Sequence, residues 1–514
     1  MSNANTAPTR SAWLPLGMAL GALLTGCATR PPQILTPQWI PEHFVGQGPT
    51  GAPVWPHVRW WRRFECPQLS KLIERARTSN RDLAAAAARI QEAQAEVTIE
   101  RSALFPQLDL QASGERIGEG SGALSSSVQG QPSLTVNSFG LLGNASYGLD
   151  VWGLARDNLR SAEEGVHSAR FASEALALTV TGDVADTYFN ILAIRKEIAI
   201  TRENITAIDE ILNIVRLKVK AGTVSHLDLA QEQAQVESVK AQLPGLRQQE
   251  IAERAALAVL VGIPVESLRL PAEDRQTVRV PAVEPGLPSE LLVRRPDVAQ
   301  AEANLAAAHA NLQAARAAFL PQFALGGSVG FSSAAASALL HGPSFLWDAG
   351  AQMIQTIFDG GRLIGQDDLA YATQKALLAA YETAILNAYA DVETALGQVR
   401  NAEQEEARLR DEVAAARKAF QIGALQYREG TAGLLTVLQT QQTLFAARNQ
   451  LVQARLARMQ AVVHLYVALG GGWKEPPLDR TQFIATPARP ISAPEAPAGA
   501  APSRSPVAQL QSRK

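Results

Sequence analysis

Cys27 is the side chain whose setting most directly implies chemistry. It stands directly behind Leu24-Thr25-Gly26, at the end of an apolar stretch from Ala12 to Leu24, with Arg10 ahead of that stretch. The apolar run is too short to cross a bilayer comfortably as a permanent helix, and the small residues before the cysteine suit a signal peptidase pocket. Residues 1–26 therefore read as a lipoprotein signal peptide, and Cys27 as the residue that is freed and acylated, palmitate included. Ala28 follows where an Asp usually retains lipoproteins in the inner membrane, which points to sorting to the outer membrane. Of the two cysteines only Cys66 then remains, so no intramolecular disulfide forms and packing must supply stability. Cys66 reads as a small, partly buried apolar residue.

No other residue set has catalytic spacing. His43, His57, His167, His226, His309, His341 and His464 show no metal-ligand spacing among themselves or with cysteine. There is no phosphate loop, no nucleophile elbow and no glycine fingerprint between a strand and a helix. Gly470-Gly471-Gly472 sits at a helix end, a capping role first, and the acidic pair Glu405 and Glu406 reads as a solvated helix face. The formal charge of -2, with Lys and Arg scattered, gives no footprint for nucleic acid. These readings argue against an enzyme, a cofactor site and a metal site.

The elements that carry these residues occur twice. An offset of 215 lays Asp82 on Asp297, Arg101 on Arg316 and Phe105-Pro106-Gln107 on Leu320-Pro321-Gln322. An offset of 208 lays Gly153 on Gly361, Asp183-Val184 on Asp391-Val392, Gly222-Thr223 on Gly430-Thr431 and Gly262 on Gly470. The offsets differ by seven residues, and the change falls between Pro106 and Gly153, so the first copy has the longer loop. The copies span 67–262 and 289–470, after an extended N-terminal anchor segment over 27–66. A Pro- and Val-rich linker over 263–288 joins them, and the segment 471–514 reads as disordered from about 485.

Each copy reads as a helix, a β-hairpin, a very long helix, a tight turn and another long helix. Ile191, Ile194, Ile198, Ile205, Ile208, Leu212, Val215 and Val219 recur at three-and-four spacing, as do Leu378, Tyr381, Ile385, Tyr389, Val392, Leu396 and Val399, and again Val452, Leu456, Met459, Val463 and Tyr466. Such stripes mean coiled-coil packing of neighbouring helices. From Leu154 to Lys220 there is no proline, and an unbroken helix of that length reaches about 100 Å. Pro244-Gly245 interrupts the return helix of the first copy, where a kink or break is expected.

In the hairpins, about 107–152 and 321–359, the period changes to two. Phe139, Leu141, Ala145, Tyr147, Leu149 and Val151 alternate with Asn144, Ser146, Gly148 and Asp150; Phe323, Leu325, Val329 and Phe331 alternate with Gln322, Ser328 and Gly330. One apolar and one polar face suit transmembrane β-strands with lipid outside and water inside, although a soluble sandwich alternates too. No run after Cys27 suits a transmembrane helix. Two hairpins supply four strands, too few to close a barrel, so chains must pool them: two chains give a filled eight-stranded barrel, three give twelve strands with room for passage. Three is the better reading. A tube must also close when idle, so the helical tips are the candidate gate and docking surface: Lys218, Lys220, Gly222, Thr223, His226 and Asp228 in copy one, with Ala424, Arg428, Glu429, Gly430 and Thr431 in copy two. Individually each charged residue reads equally as an exposed charge at a turn.

Several motifs in order carry a resemblance. They are Trp60-Trp61-Arg62 with Pro67-Gln68-Leu69, Asn80-Arg81-Asp82-Leu83, Gly286-Leu287-Pro288-Ser289 leading into Arg294-Arg295-Pro296-Asp297, and Ala468-Leu469-Gly470-Gly471-Gly472-Trp473. With them the chain resembles the TolC/OprM-type outer-membrane efflux family, in its lipoprotein branch serving tripartite resistance-nodulation-division pumps. The resemblance implies an α+β membrane protein, a homotrimer whose twelve-stranded barrel in outer-membrane lipid continues as a periplasmic α-helical barrel. It also implies a tip that meets a periplasmic adaptor (membrane fusion) protein, an inner-membrane resistance-nodulation-division transporter that supplies energy, and passive exit of drugs or other small molecules. Family tips often carry carboxylates that narrow the closed tunnel; Lys220 and Ala424 stand at those positions here, which argues against a cation-binding acidic constriction.

The alternatives are a type I secretion channel of the same fold and a periplasmic coiled-coil scaffold lipoprotein without a pore, which would have no use for the hairpin alternation. An exported hydrolase would require a converging polar site. Replacing the anchor residue, Cys27→Ser, is expected to abolish incorporation of labelled palmitate while insertion partly survives; continued labelling would overturn the acylation reading.

Overall fold

The computed structural model describes residues 56–118, 135–271, 278–281 and 294–473. The signal peptide, Cys27, the tail expected to be disordered from 485 and much of the 263–288 linker lie outside the described residues. Helix α1 (Pro67–Ser79) opens on a proline, whose missing N–H is not needed in a first turn. Helix α2 (Arg81–Ser102) follows at once because Asn80 caps it: its Oδ1 accepts from the backbone N–H of Asp82 at 2.8 Å and of Leu83 at 3.0 Å. Asp82 adds negative charge where the helix dipole is positive.

The chain then forms β1 (Gln107–Gly118) and β2 (Thr135–Leu149), the 67-residue helix α3 (Leu154–Lys220) and the antiparallel return helix α4 (His226–Val261). The second copy repeats the order with α5 (Pro296–Ala317), β3 (Gln322–Ser333), β4 (Phe345–Ile354), the 68-residue helix α6 (Arg362–Glu429) and α7 (Leu434–Ala468). At 1.5 Å per residue α3 and α6 each run about 100 Å. Helix α4 passes through Pro244 without a break, contrary to one outcome the sequence left open. Pro244 and Lys240, whose carbonyl loses its usual N–H partner to the proline, both lie on the exposed side of the helix.

The four strands form one antiparallel sheet in the order β1-β2-β3-β4, and β2 pairs with β3 from Phe139 opposite Ser333 to Leu149 opposite Phe323. The two copies thus share a sheet. They share a core as well. Trp60 lies in a 3-10 turn over Trp60–Phe64 and stacks on Tyr466 of α7 at 4.9 Å between ring centres, while Phe64 packs on Phe189 of α3 at 5.2 Å. Leu69, Ile73, Tyr188, Leu257 and Val463 close the cluster, and Cys66 is buried in it, its thiol donating to the Tyr188 hydroxyl. Leu268 and Val278 of the linker reach the same cluster. A second core joins α5, α6 and α7 through Val298, Ile385, Val392 and Leu465. Arg295 pins it, donating to Asp297 at 2.6 Å, to Asp391 at 2.9 Å and to the Ala468 carbonyl at 3.3 Å.

Polar pairs run along α3 and α7 in opposite directions: Asp186 with His464 at 2.9 Å, Asn190 with Gln460 at 3.0 Å, Glu197 with Gln453 at 2.5 Å, and buried Asn204 with Gln441 at 3.2 Å. The bond to Asp186 raises the His464 pKa above its ordinary value. Glu405 and Glu406 correct the sequence reading. Glu405 is exposed, but Glu406 is buried and holds Arg410 and, at 2.9 Å, Arg458 of α7. Adjacent helix positions point about 100° apart, so one carboxylate of a pair reaches the helix interface while its neighbour meets solvent.

Two glycines fix how each return helix ends. Gly262 (φ +73°) and Gly470 (φ +79°) adopt the left-handed region, and a Cβ on either would lie 2.1 Å from the Ser79 carbonyl oxygen or 1.9 Å from that of Arg294. Ser79 and Arg294 are themselves equivalent in the repeat, so the same close approach is made twice. Gly470→Ala combines a strained φ with a backbone clash and is expected to destabilise the fold by about 2–4 kcal/mol in thermal or denaturant unfolding. Gly222→Ala, where φ is +70° but the surrounding space is open, is expected to cost about 1–2 kcal/mol.

Candidate functional site

The two long helices end on the same device. Thr223 donates from its backbone N–H and its hydroxyl to the Lys218 carbonyl, both at 3.0 Å, and Thr431 donates in the same way to the Gln426 carbonyl at 2.9 and 3.1 Å. Gly222 and Gly430 (φ +81°) turn the chain. After the first turn, Asp228 and Ser225 form a capping box: the Ser225 hydroxyl accepts from the Asp228 N–H at 3.2 Å, and the Asp228 carboxylate accepts from the Ser225 N–H at 2.9 Å. Asp228 is therefore committed to starting α4.

The other tip residues divide. Lys220, His226, Arg428 and Glu429 are exposed, and Ala424 is half-buried on α6. Lys218 reaches across: its ammonium donates to the Tyr427 carbonyl at 2.5 Å and lies 4.2 Å from the centre of the Tyr427 ring. Tyr427 is buried with Ile211, Val215, Leu434 and Val437, so this contact ties the tip of α3 to that of α6. Burial first, and the charges of Asp228 and Glu232 next, push the Tyr427 phenol pKa up. Sequence reasoning passed over Tyr427 because an aromatic in an apolar stripe gives no sign of a polar link.

It also passed over Glu232, which is fully buried on α4 with no hydrogen-bond partner for either carboxylate oxygen. Burial pushes its pKa up to about 7. The signal was present: Leu229, Glu232, Val236 and Val239 follow the three-and-four spacing of a helix seam, and Glu232 fills an apolar slot.

At the other end of the long helices, the register sorts the sheet into two faces. Leu110, Leu141, Val329 and Trp347 share one face with Phe139, Phe323 and Phe345. The opposite face carries a transverse row, Asp109 beside Asn144 beside Ser328 beside Asp348, with the Ser328 hydroxyl donating to Asp348. Val151, read as continuing the alternation, lies in the bend beyond β2. Among the described residues no helix is long and apolar enough to cross a membrane, and no group of His, Cys, Asp and Glu is arranged to hold a metal ion.

Comparison with known proteins gives this arrangement its context. Residues 72–263 and 287–471 match the family model described as outer membrane efflux protein. The chain belongs to the outer membrane efflux protein family. The pyoverdine export outer membrane protein OpmQ of Pseudomonas putida is 39% identical over 475 residues, covering 91% of this chain and 98% of that protein. The cation efflux system protein CusC of Escherichia coli is 30% identical, covering 90% and 99%. Among solved structures, the outer-membrane channel OprN superposes with a TM-score of 0.80 at 26% identity, covering 86% of this chain and 99% of that one.

For an outer membrane efflux protein the two sheet faces have distinct surroundings. The apolar face suits lipid and the row from Asp109 to Asp348 suits water. The tip contact is then the place where this efflux protein joins its two halves far from the membrane. Lys218→Met is expected to remove both the hydrogen bond and the cation–π contact and to lower local stability there by about 1–2 kcal/mol. Faster hydrogen exchange confined to the ends of α3 and α6, with the core unchanged, is the readout.

Proposed function

We propose that three copies of this chain pool their strands into a twelve-stranded barrel in the outer membrane, with the long helices closing a periplasmic tube below it. The observation that carries this reading is the four-stranded sheet with one apolar and one polar face and with β1 and β4 at its edges. Edges cannot face lipid unpaired, and three such sheets enclose a passage whereas two would be filled by side chains. In this reading residues 67–262 and 289–470 are the duplicated units, and Cys27 anchors the mature chain by its acyl groups. The tips from Lys218 to Asp228 and from Ala424 to Thr431 form the gate and the docking surface for a periplasmic adaptor. An inner-membrane transporter of the resistance-nodulation-division type supplies the energy, and the duct itself performs no reaction.

The cargo is a small molecule. The 39% identical relative named for pyoverdine export supports a pyoverdine-like compound as the first candidate, and drugs are the second. The amphipathic sheet has no use in a coiled-coil spacer, which leaves efflux and type I secretion as uses of the same duct.

Purified chain in detergent is expected to have the mass of a trimer and to give discrete conductance steps in a planar bilayer. Correctly folded protein without pores would overturn the duct. A deletion strain that retains a pyoverdine-like compound inside the cell, or becomes sensitive to several unrelated drugs, supports efflux; loss of a secreted protein with unchanged drug sensitivity would favour type I secretion.

A further inference from the structure

Glu232 is the one carboxylate of the tip region that the duct reading does not use. It sits one helical turn beyond Asp228 and is completely buried within a single protomer, so its burial does not depend on assembly. Val236, Val239, Ile208 and Leu212 pack on one side of its level and the Tyr427 cluster on the other. Neither carboxylate oxygen has a hydrogen-bond partner. Buried Glu406 shows what the fold does when a carboxylate is to stay charged: two arginines hold it. The repeat sharpens the contrast. The equivalent of Glu232 in the second copy is Thr440, whose hydroxyl donates to the backbone carbonyls of Thr436 and Val437. One copy places a self-satisfied hydroxyl at this seam position and the other an ionisable group with nothing to hold its charge.

We infer that Glu232 is a proton-operated latch of the tip: as the neutral acid it lets α4 lie against α3 beside Tyr427, and as the carboxylate it drives that packing apart. This rests on the reading of the tip as the closable end of the duct. A charge in that position has no counter-ion and no water, so ionisation requires the helix to move until water reaches it.

The surrounding groups leave the role to Glu232. On α4 itself Asp228 is held in the capping box, and Lys240 pairs with Glu237 at 3.3 Å and with Asp209 of α3 at 3.8 Å. From α3, Lys218 is engaged with the Tyr427 carbonyl and ring. From α6 the titratable group is the Tyr427 phenol, held neutral by its raised pKa. From α7 no ionisable residue occurs between Leu434 and Ala447.

Burial favours the neutral acid. It raises the Glu232 pKa from 4.5 to about 7, so the packed state is favoured fully below about pH 4.5 and loses that advantage as pH rises to about 7. The difference corresponds to up to about 300-fold in the opening equilibrium, ten-fold for each pH step between the two values. Acid closes the latch, and neutral to mildly alkaline pH releases it.

The test uses the full chain, comparing wild type with Glu232→Gln, an isostere that cannot ionise, and Glu232→Leu, an apolar side chain at a seam position. Opening is read by conductance in planar bilayers from pH 5 to 8, and by hydrogen exchange of α4, corrected for the intrinsic pH dependence of exchange. Exchange reports the latch whether or not a pore conducts, so failure of the duct and failure of the latch are distinguishable. Wild-type opening is expected to rise about 100-fold across this range, with both variants flat and closed. His226 is the exposed histidine at the start of the same helix, so His226→Asn is the control and is expected to keep the rise. A wild-type profile without the rise, a rise that persists in Glu232→Gln, or its loss in His226→Asn would each overturn the latch.

Discussion

A bilayer offers no water to an unpaired strand edge, and that constraint orders the rest of the molecule. A sheet of four strands has two such edges, one along β1 and one along β4. Satisfying them with further copies of the same sheet sets a rotation axis, and every other element must respect it. The copies inside the chain already do so on a smaller scale, since β2 of the first pairs with β3 of the second in continuous register. The long helices inherit their direction from the strands that feed them. The polar pairs between α3 and α7, from Asp186–His464 to Asn204–Gln441, keep the two halves in step for most of the distance to the tips.

Much of this was legible in the sequence because it depends on spacing. Period two against period three-and-a-half separates strand from helix without knowledge of any contact, and the two offsets, 215 and 208, place the duplicated parts and the extra loop residues between them. Asn80 as a cap and Pro296 as a first helical residue follow from backbone chemistry that any helix start must satisfy. What escaped depends on direction rather than type. Glu405 and Glu406 look alike in a string, yet one faces solvent and the other lies between Arg410 and Arg458. Pro244 carries the signal of a break, but it lies on the exposed side of the helix and the helix continues.

The tip was legible as a place and not as a set of bonds. The turns at Gly222 and Gly430 located it, whereas the working contact there runs from Lys218 to Tyr427, between residues far apart in the chain. The other charges singled out in the string divide between solvent and capping. The group with the most unusual surroundings, Glu232, was hidden by its own regularity, since it keeps the seam spacing and breaks only the rule about polarity. A charged residue at an apolar position of a long periodic run is worth as much attention as a charged residue at a turn.

The glycine contacts at the ends of α4 and α7 have a consequence for how such a chain can change over generations. Gly262 over Ser79 and Gly470 over Arg294 are one joint built twice, and each tolerates no added carbon. Neither joint can relax on behalf of the other, because each closes its own copy. Lengthening of the chain is therefore steered away from these corners. The seven residues by which the two copies differ in length lie between Pro106 and Gly153, on the hairpin side of the joint. The duplicated corner acts as a filter on heredity: it admits no added carbon itself, and the difference in length between the copies has accumulated elsewhere in the chain.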